Sequence, residues 1–370
     1  MPTHKRQSLS QGPFEGLHID TENKHLGRSI RRMIQSTLSK ASFTINMGDA
    51  YDYKILHESP EQLHQELHKY ISDVADGLKQ SKDNETALDE HITAELARMV
   101  YGSNMIEVAG GGVDITLKLC KDVFRGKELS EEIDERDPDH EDLKLDLLNK
   151  NLPSGHAAIL RSRREIIQHA EAARFMIERV CINGKDLSEK IIKEAHGILT
   201  YKIDINEHTS WIYYSGVYRT WNVRCGSRVF MDEGRVPFAM RDMVESLDSD
   251  IKNANQEGQI DPVVLASKYC HEFVNIHPFG DGSGRMCRLI LNTLLLKYSG
   301  GIVCIGQDGE DRQEYLRIAI AAGAKEAAQN QQNTTSGAVK PKNYKQLSSF
   351  TLRHARDSMR KVRQIFKRDN

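Results

Sequence analysis

The chain has 370 residues, 39% of them hydrophobic and 28% charged, with a formal net charge of -2. That apolar content supports a full core, and the near-neutral charge excludes both a global basic field for nucleic acid and a global acidic, solubilising field. The six cysteines (Cys120, Cys181, Cys225, Cys270, Cys287 and Cys304) are scattered without a C-x-x-C pair, which argues for a reducing compartment over a disulfide scaffold.

Residues 1–50 are polar and Ser-rich, with Lys24, Arg28, Arg31 and Arg32, and read as a mobile N-terminal arm. No apolar stretch of signal-peptide length lies there, and no later window reaches ~18 uninterrupted apolar residues. A cytoplasmic or nuclear protein with no membrane partner is expected. From Ser59 the pattern turns helical: SPEQLHQELHKYISDVADGL offers a Ser cap, Pro at the first helical position and one apolar face through Leu63, Leu67, Ile71, Val74 and Leu78. A second helix follows at about Leu88, so residues 51–126 are read as N-terminal helices. Residues 127–155 open on the dense acidic run KELSEEIDERDPDHEDLKLD and read as a solvated insertion or linker.

Residues 156–325 form the expected core. Amphipathic helices span Ser162 to Cys181 and Leu187 to Leu199, and GVYRTWNVRCGSRVFM has the alternation of a short hairpin around Gly226-Ser227. That hairpin could grip a target segment by strand addition or be an ordinary surface hairpin. LILNTLLLKYSGGIVCIG, from Leu289, is broken by Asn292, Lys297 and two glycines, as a buried helix and its exit would be. Residues 326–345 read as a low-complexity linker, and 346–370 as a basic C-terminal helix with a solvated face or docked on the acidic run. The fold class is mainly α, a helical bundle with a small β-hairpin.

Between two apolar helical patterns lies HPFGDGSGR, His277 to Arg285. Pro278 forces His277 out of helical geometry. Gly280, Gly282 and Gly284 permit a tight turn with exposed N–H groups, at the positive end of the helix that follows, which makes an anion site. Arg285 and Arg288 can lean toward a bound anion. Asp281 would repel phosphate unless a divalent cation lay between them, as Mg²⁺ on a polyphosphate would. His277 stands at the rim, able to take a proton from an incoming hydroxyl. A capped helix-loop-helix turn with an incidental histidine is the alternative. P-loop, dinucleotide-binding, EF-hand and zinc-helix patterns all fail on spacing, and His271 reads as a core or capping histidine.

HPFGDGSGRMCR resembles the signature of the Fic family, H-P-F-x-[DE]-G-N-G-R-x-x-R, departing at Ser283. The resemblance takes in EAHGILT and GVYRTWNV upstream and DRQEYLRIAIAAG downstream, over residues 160–325, about half of the chain. It implies a Fic-type bundle with a hairpin flap that transfers AMP from ATP to a hydroxyl side chain of a protein substrate. His277 would be the general base, Asp281 the Mg²⁺ ligand, and Gly280, Gly282, Ser283 and Gly284 the phosphate cradle, with Arg285 and Arg288 on the outer phosphates. Asn292 and Tyr315 would line the base pocket, and the family often has Asn where Gly323 aligns. A serine hydroxyl at 283 can donate to phosphate as the family's asparagine amide does, with shorter reach.

A separate signal lies in TALDEHITAELARMVYGSNMIE. Leu88, Ile92, Leu96, Met99 and Ile106 fall on one helical stripe, with Ser103 in its middle and Glu107 at its edge. Either this is an exposed helix end, or a buried Glu107 must meet a cation or be protonated. Ser103 and Glu107 resemble the inhibitory [ST]-x-x-x-E-[GN] helix of autoinhibited Fic proteins, here at about 88–107 and followed by Val108. The resemblance pairs Glu107 with Arg288. The expected protein is a protein adenylyltransferase with ATP and Mg²⁺, autoinhibited by Glu107; a mainly de-AMPylating hydrolase and a non-catalytic nucleotide-binding module are the alternatives. Nucleic acid is not an expected partner, and a homodimer stays open.

Overall fold

A computed structural model describes residues 25–38, 49–52, 54, 60–80, 84–226, 228–332 and 341–367. Within them the helices run α1 (Leu26–Leu38), α2 (Pro60–Gln80), α3 (Glu85–Ile106), α4 (Val113–Phe124), α5 (Pro138–Asn149), α6 (His156–Met176) and α7 (Glu189–Leu199). A hairpin of β1 (Arg224–Cys225) and β2 (Arg228–Val229) follows, then α8 (Val236–Glu257), α9 (Pro262–Ile276), α10 (Ser283–Ser299), α11 (Gly309–Gln332) and α12 (Lys345–Lys367).

The sequence of α10 places it at the centre. Met286, Cys287, Leu289, Ile290, Leu291, Leu294, Leu295 and Leu296 are all fully buried, and a helix apolar on every side must be surrounded. α9 packs along one side of it; α1, α3, α6 and the π-helical turn Ile177–Ile182 cover the others. α9 starts sharply because Asp261 caps it, accepting from the N–H groups of Val263 (3.1 Å) and Val264 (3.0 Å) with Pro262 in the first turn. The hairpin is antiparallel, pairing Arg224 with Val229 and Cys225 with Arg228. Mainly helical architecture with one small hairpin is thus what the described residues adopt. No helix of the described residues is long and apolar enough to cross a membrane.

Several boundaries differ from the sequence reading. The segment read as a mobile arm contains α1, whose Leu26, Ile30 and Ile34 are buried; Arg28, Arg31 and Arg32 between them mask a regular four-residue spacing. Residues 1–24 and 39–48 of that segment, and the Ser59 cap, lie outside the described residues. The acidic run is no solvated linker. Ile133, Leu143 and Leu147 are buried, α5 packs on α6, and the buried Asp139 accepts from Lys118 (2.5 Å) and Arg163 (3.4 Å). The expected linker after residue 325 begins as helix, since α11 continues to Gln332, and Asn343 donates to Glu326 and Gln329 at 2.7 Å each; residues 333–340 lie outside the described residues.

The basic C-terminal helix keeps a solvated face, with Arg360 and Lys361 exposed, but it is not docked on the acidic run. Leu347, Phe350, Leu352, Ala355 and Met359 of α12 are buried against α2 and α9. Its cations meet carboxylates of three helices: Arg356 with Glu66 (2.8 Å), Arg353 with Glu314 (2.6 Å), Lys361 with the buried Glu95 (3.3 Å), and Arg363 with Asp73. Composition records this helix as charged; periodicity makes it amphipathic.

Integration of α12 has a measurable consequence. Phe350→Ala should cost about 3–5 kcal/mol, the range for emptying a buried aromatic site, whereas Arg360→Ala, at a position half exposed to water, should stay within about 0.5 kcal/mol. Thermal or denaturant unfolding of the two variants checks this; equal, small effects would mean that α12 is not part of the core.

Candidate active site

α9 ends where His277 adopts the left-handed conformation, φ 50° and ψ 63°, its N–H donating to Phe273 O at 3.0 Å. A non-glycine residue held there stores about 1–3 kcal/mol, so its surroundings must fix it. Pro278 does expel His277 from the helix, into a tighter turn than the extended form that proline usually imposes. Gly282, at φ 77°, reverses the chain again and α10 begins at Ser283, leaving the first-turn N–H groups of α10 at the loop.

Two groups outside the loop brace it. The buried Arg219 donates from Nε to His277 O (2.8 Å) and from Nη1 to Trp221 O (3.0 Å), and its own backbone N–H donates to Pro278 O (2.9 Å). His196 of α7 accepts from the Gly216 N–H at Nδ1 (3.0 Å), which leaves its proton on Nε2 to donate to Asp281 O (2.9 Å). Its ring stacks on Phe279 with centroids 3.6 Å apart. Burial takes the His196 pKa down to about 4 against the opposing pull of Asp281, so the ring stays neutral. His196 lies in EAHGILT and Arg219 in GVYRTWNV, stretches whose residue types alone assign neither a role. No spacing rule marks them, because their partners are loop carbonyls.

Ser283 departs from expectation. Its hydroxyl is buried and turned back into the loop, accepting from the Phe279 N–H at 3.1 Å with Phe279 O at 3.4 Å. It is an internal brace of the turn, not a donor aimed at an anion: at the first position of α10 a side chain this short reaches the loop it has just left. Gly280 lies against the Trp221 ring. Gly284 lies close under Glu107, and a Cβ there would have to displace the carboxylate.

The two arginines have separate surroundings. Arg285, buried, donates from Nη2 to Asp281 at 3.1 Å, one helical turn away. Burial raises the Asp281 pKa, but Arg285, the Gly282 N–H, Arg161 and His196 together hold it below the usual carboxylate range. Arg288 is also buried, and three oxygens meet its guanidinium: Ser103 Oγ at 2.8 Å from Nε, and Ser103 O at 2.9 Å and Glu107 Oε1 at 2.7 Å from Nη2. Burial opposes its charge; Glu107 and Tyr315 outweigh that and keep it protonated. Ser103 is fully buried, while the Glu107 side chain, at the cap of α3, is 37% exposed.

Tyr315 lies under Arg288, with its ring centroid 5.6 Å from the guanidinium carbon, and its hydroxyl faces Cys287. Asn292 does not match its expected place in a base pocket. Both ends of its amide are committed within the core, donating to Arg288 O (3.2 Å) and accepting from the Val303 N–H (2.8 Å). The sequence reading missed Asn104, next to Ser103, which is buried and joins α3 to α6 through Glu165 O (3.2 Å) and His169 (2.7 Å).

His277 faces this array with Phe230 stacked on its ring, centroids 3.9 Å apart. Burial, opposed by the Val274 carbonyl and Glu107, lowers its pKa to about 4. The imidazole is therefore neutral at pH 7 and able to accept a proton. Asp281, ionised and one-third exposed, offers a single carboxylate at the mouth of the loop. That fits a Mg²⁺ ion whose remaining ligands are phosphate and water oxygens; it does not fit an all-protein cage, and no group of three or more possible metal ligands occurs among the described residues.

Residues 186–295 match a sequence model of the Fic/DOC family. A Fido domain-containing protein of Dictyostelium discoideum is 33% identical over 109 residues, covering 29% of this chain and 73% of that protein. The protein adenylyltransferase Fic of Aedes aegypti is 29% identical over 151 residues, and that of Drosophila melanogaster 25% over 208 residues. Those matches cover 40% and 47% of this chain but only 28% and 41% of the two adenylyltransferases. Among solved structures, a Fic domain-containing signaling protein from Bacteroides thetaiotaomicron shares the fold, with a TM-score of 0.57 at 19% identity, over 82% of this chain and 98% of that one. Fic-1 from C. elegans does so at a TM-score of 0.53 and 17% identity, over 83% and 73%. The domain, the helical fold and the loop between α9 and α10 agree: the chain belongs to the Fic family.

Proposed function

We propose that the chain is a protein adenylyltransferase that moves AMP from ATP to a hydroxyl side chain of another protein and that Glu107 restrains it. The observation that carries this reading is the meeting of a neutral His277, an ionised Asp281 and two buried arginines at the start of α10. In the reaction His277 takes the proton of the incoming hydroxyl, the hydroxyl oxygen forms a bond to the α-phosphorus, and the bond from that phosphorus to pyrophosphate breaks. The first-turn N–H groups of α10 and Arg285 balance the phosphate charge, and Asp281 would hold Mg²⁺, which would supply further charge neutralisation there. Arg288 would hold the outer phosphate, but its Nη2 is engaged by Glu107.

That engagement also supports a second reading, in which the resting protein mainly removes AMP. A carboxylate beside the site can position a water molecule for hydrolysis. The site's loop is internally braced by Ser283, so the serine is not by itself a mark of a decayed, merely binding module.

Incubation with α-labelled ATP separates these outcomes. Glu107→Gly should raise labelling of target protein strongly and abolish release of AMP from a premodified target; an unaltered transfer rate removes the restraining role of Glu107. In that background His277→Ala should lower transfer by ~10²–10⁴ while ATP binding stays nearly intact, the loss typical of a general base. Retained activity would rule out His277 as the base.

The pH dependence has a defined sign. Because the folded pKa of His277 lies below the ordinary histidine value of about 6.5, protonation of the base needs a lower pH than it would in water. kcat/KM of the Glu107→Gly variant should therefore stay level from about pH 8 to 6 and fall only on approach to about 4. Removing Glu107, which favours the charged ring, moves the fall further down. A bend near 6.5 would count against a buried neutral base.

A further inference from the structure

The hairpin is too short to hold itself. Two residue pairs make a marginal ladder in water, yet Phe230, just after β2, lies face to face on the His277 imidazole at an interplanar angle of 20°. Two arginines supply what the ladder lacks. Arg219 grips both feet of the hairpin, donating to Trp221 O on one side and Met231 O on the other. Arg228, on β2, reaches the opposite way: its Nη2 donates to Asn275 Oδ1 on α9, and its guanidinium carbon stands 4.7 Å from the centroid of the Phe230 ring. Asn275 is itself oriented by donating to His271 O at 2.6 Å. The guanidinium fits between α9 and α11 only because residue 323 has no side chain, since a Cβ on Gly323 would overlap Nη1, Cζ and Nη2 of Arg228. A stack therefore runs from the notch at Gly323 through Arg228 and Phe230 to His277.

We propose that Arg228 is a positioning residue for His277: seated in the Gly323 notch and bonded to Asn275, it pins Phe230 on the imidazole and keeps the hairpin closed over it. The proposal rests on His277 as the base, but it makes a statement about the ring that needs no turnover to test. The groups facing the ring are Glu107 at the end of α3, the Val274 carbonyl in α9, Arg219 ahead of β1 and Arg228 on β2. Glu107 and the carbonyl favour the protonated ring, whereas burial and the two arginines disfavour it. Losing Arg228 removes a positive charge and part of the cover together. Both changes make the ring easier to protonate.

The test is an NMR titration of the His277 ring in the full chain, with the resonance assigned by its loss in His277→Ala. Arg228→Met keeps the stem length and removes the fork; Gly323→Ala keeps the arginine in the chain but fills its notch and displaces the guanidinium. Alanine is the better helix former, so Gly323→Ala should not compromise α11. Each variant should move the midpoint up by about one unit or more, and the double variant should match the singles because both break one contact. In the Glu107→Gly background each should slow transfer more at pH 5 than at pH 8. An unmoved midpoint in Gly323→Ala, or shifts that add in the double variant, would overturn the proposal, and this variant decides alone if Arg228→Met does not fold. The expected titrations without any transfer would support the contact and count against the transfer reading instead.

Discussion

Stripping one partner from a buried, paired charge costs about 3–5 kcal/mol. Arg288 is such a group, and its partners come from a helix nearly two hundred positions earlier in the chain: the hydroxyl and carbonyl of Ser103 and the carboxylate of Glu107. This requirement sets the depth at which α3 enters the bundle. Gly284 fits with it, since a Cβ there would have to displace the carboxylate. So does the way α11 and the residues before it meet α3: Arg312 donates to Met105 O and Ile106 O at the C-terminal end of α3, and Gln307 donates to Arg98 O about two turns earlier.

The loop between α9 and α10 depends on the same logic applied to uncharged groups. Its carbonyls at His277, Pro278 and Asp281 are taken by Arg219 and His196, and the Phe279 N–H by Ser283. A segment that carries a left-handed histidine and exposes helix N–H groups has few internal bonds of its own, so the surrounding helices and the hairpin supply them. The rigidity of the loop is thus a property of the assembled domain, and His196, neutral because it is buried, contributes without adding charge beside the glycines.

What could be read in the sequence followed from short-range rules. Pro278, the glycines and the apolar patterns flanking them define the loop, and the stripe through Leu88, Ile92, Leu96 and Met99 puts Ser103 on the apolar side of its helix, leaving an exposed helix end or a buried site as the two readings. What could not be read depends on which side of a residue meets what. Ser283 is polar in either orientation, and only the three-dimensional turn shows its hydroxyl facing Phe279. Asn292 sits one turn beyond Arg288, yet its amide is drawn to Val303. For α1, α5 and α12 a high density of charge obscured a regular apolar face, because composition averages over a helix while burial selects one side of it.

The position of Glu107 at the very end of α3 has a kinetic implication. Its backbone neighbours are fixed: Ser103, Asn104 and Ile106 are buried, and the last carbonyls of the helix are held by Arg312. The carboxylate alone is partly in water. Separating it from Arg288 therefore requires rotation about side-chain bonds and no displacement of the helix. Such rotations take picoseconds to nanoseconds at unpaired exposed positions, and loss of the Arg288 contact adds to the barrier here, but no packed element has to withdraw. Any control exercised through this residue would be graded, set by the fraction of time the carboxylate spends on the arginine, so a partner that tilts that fraction acts as a dial instead of a latch.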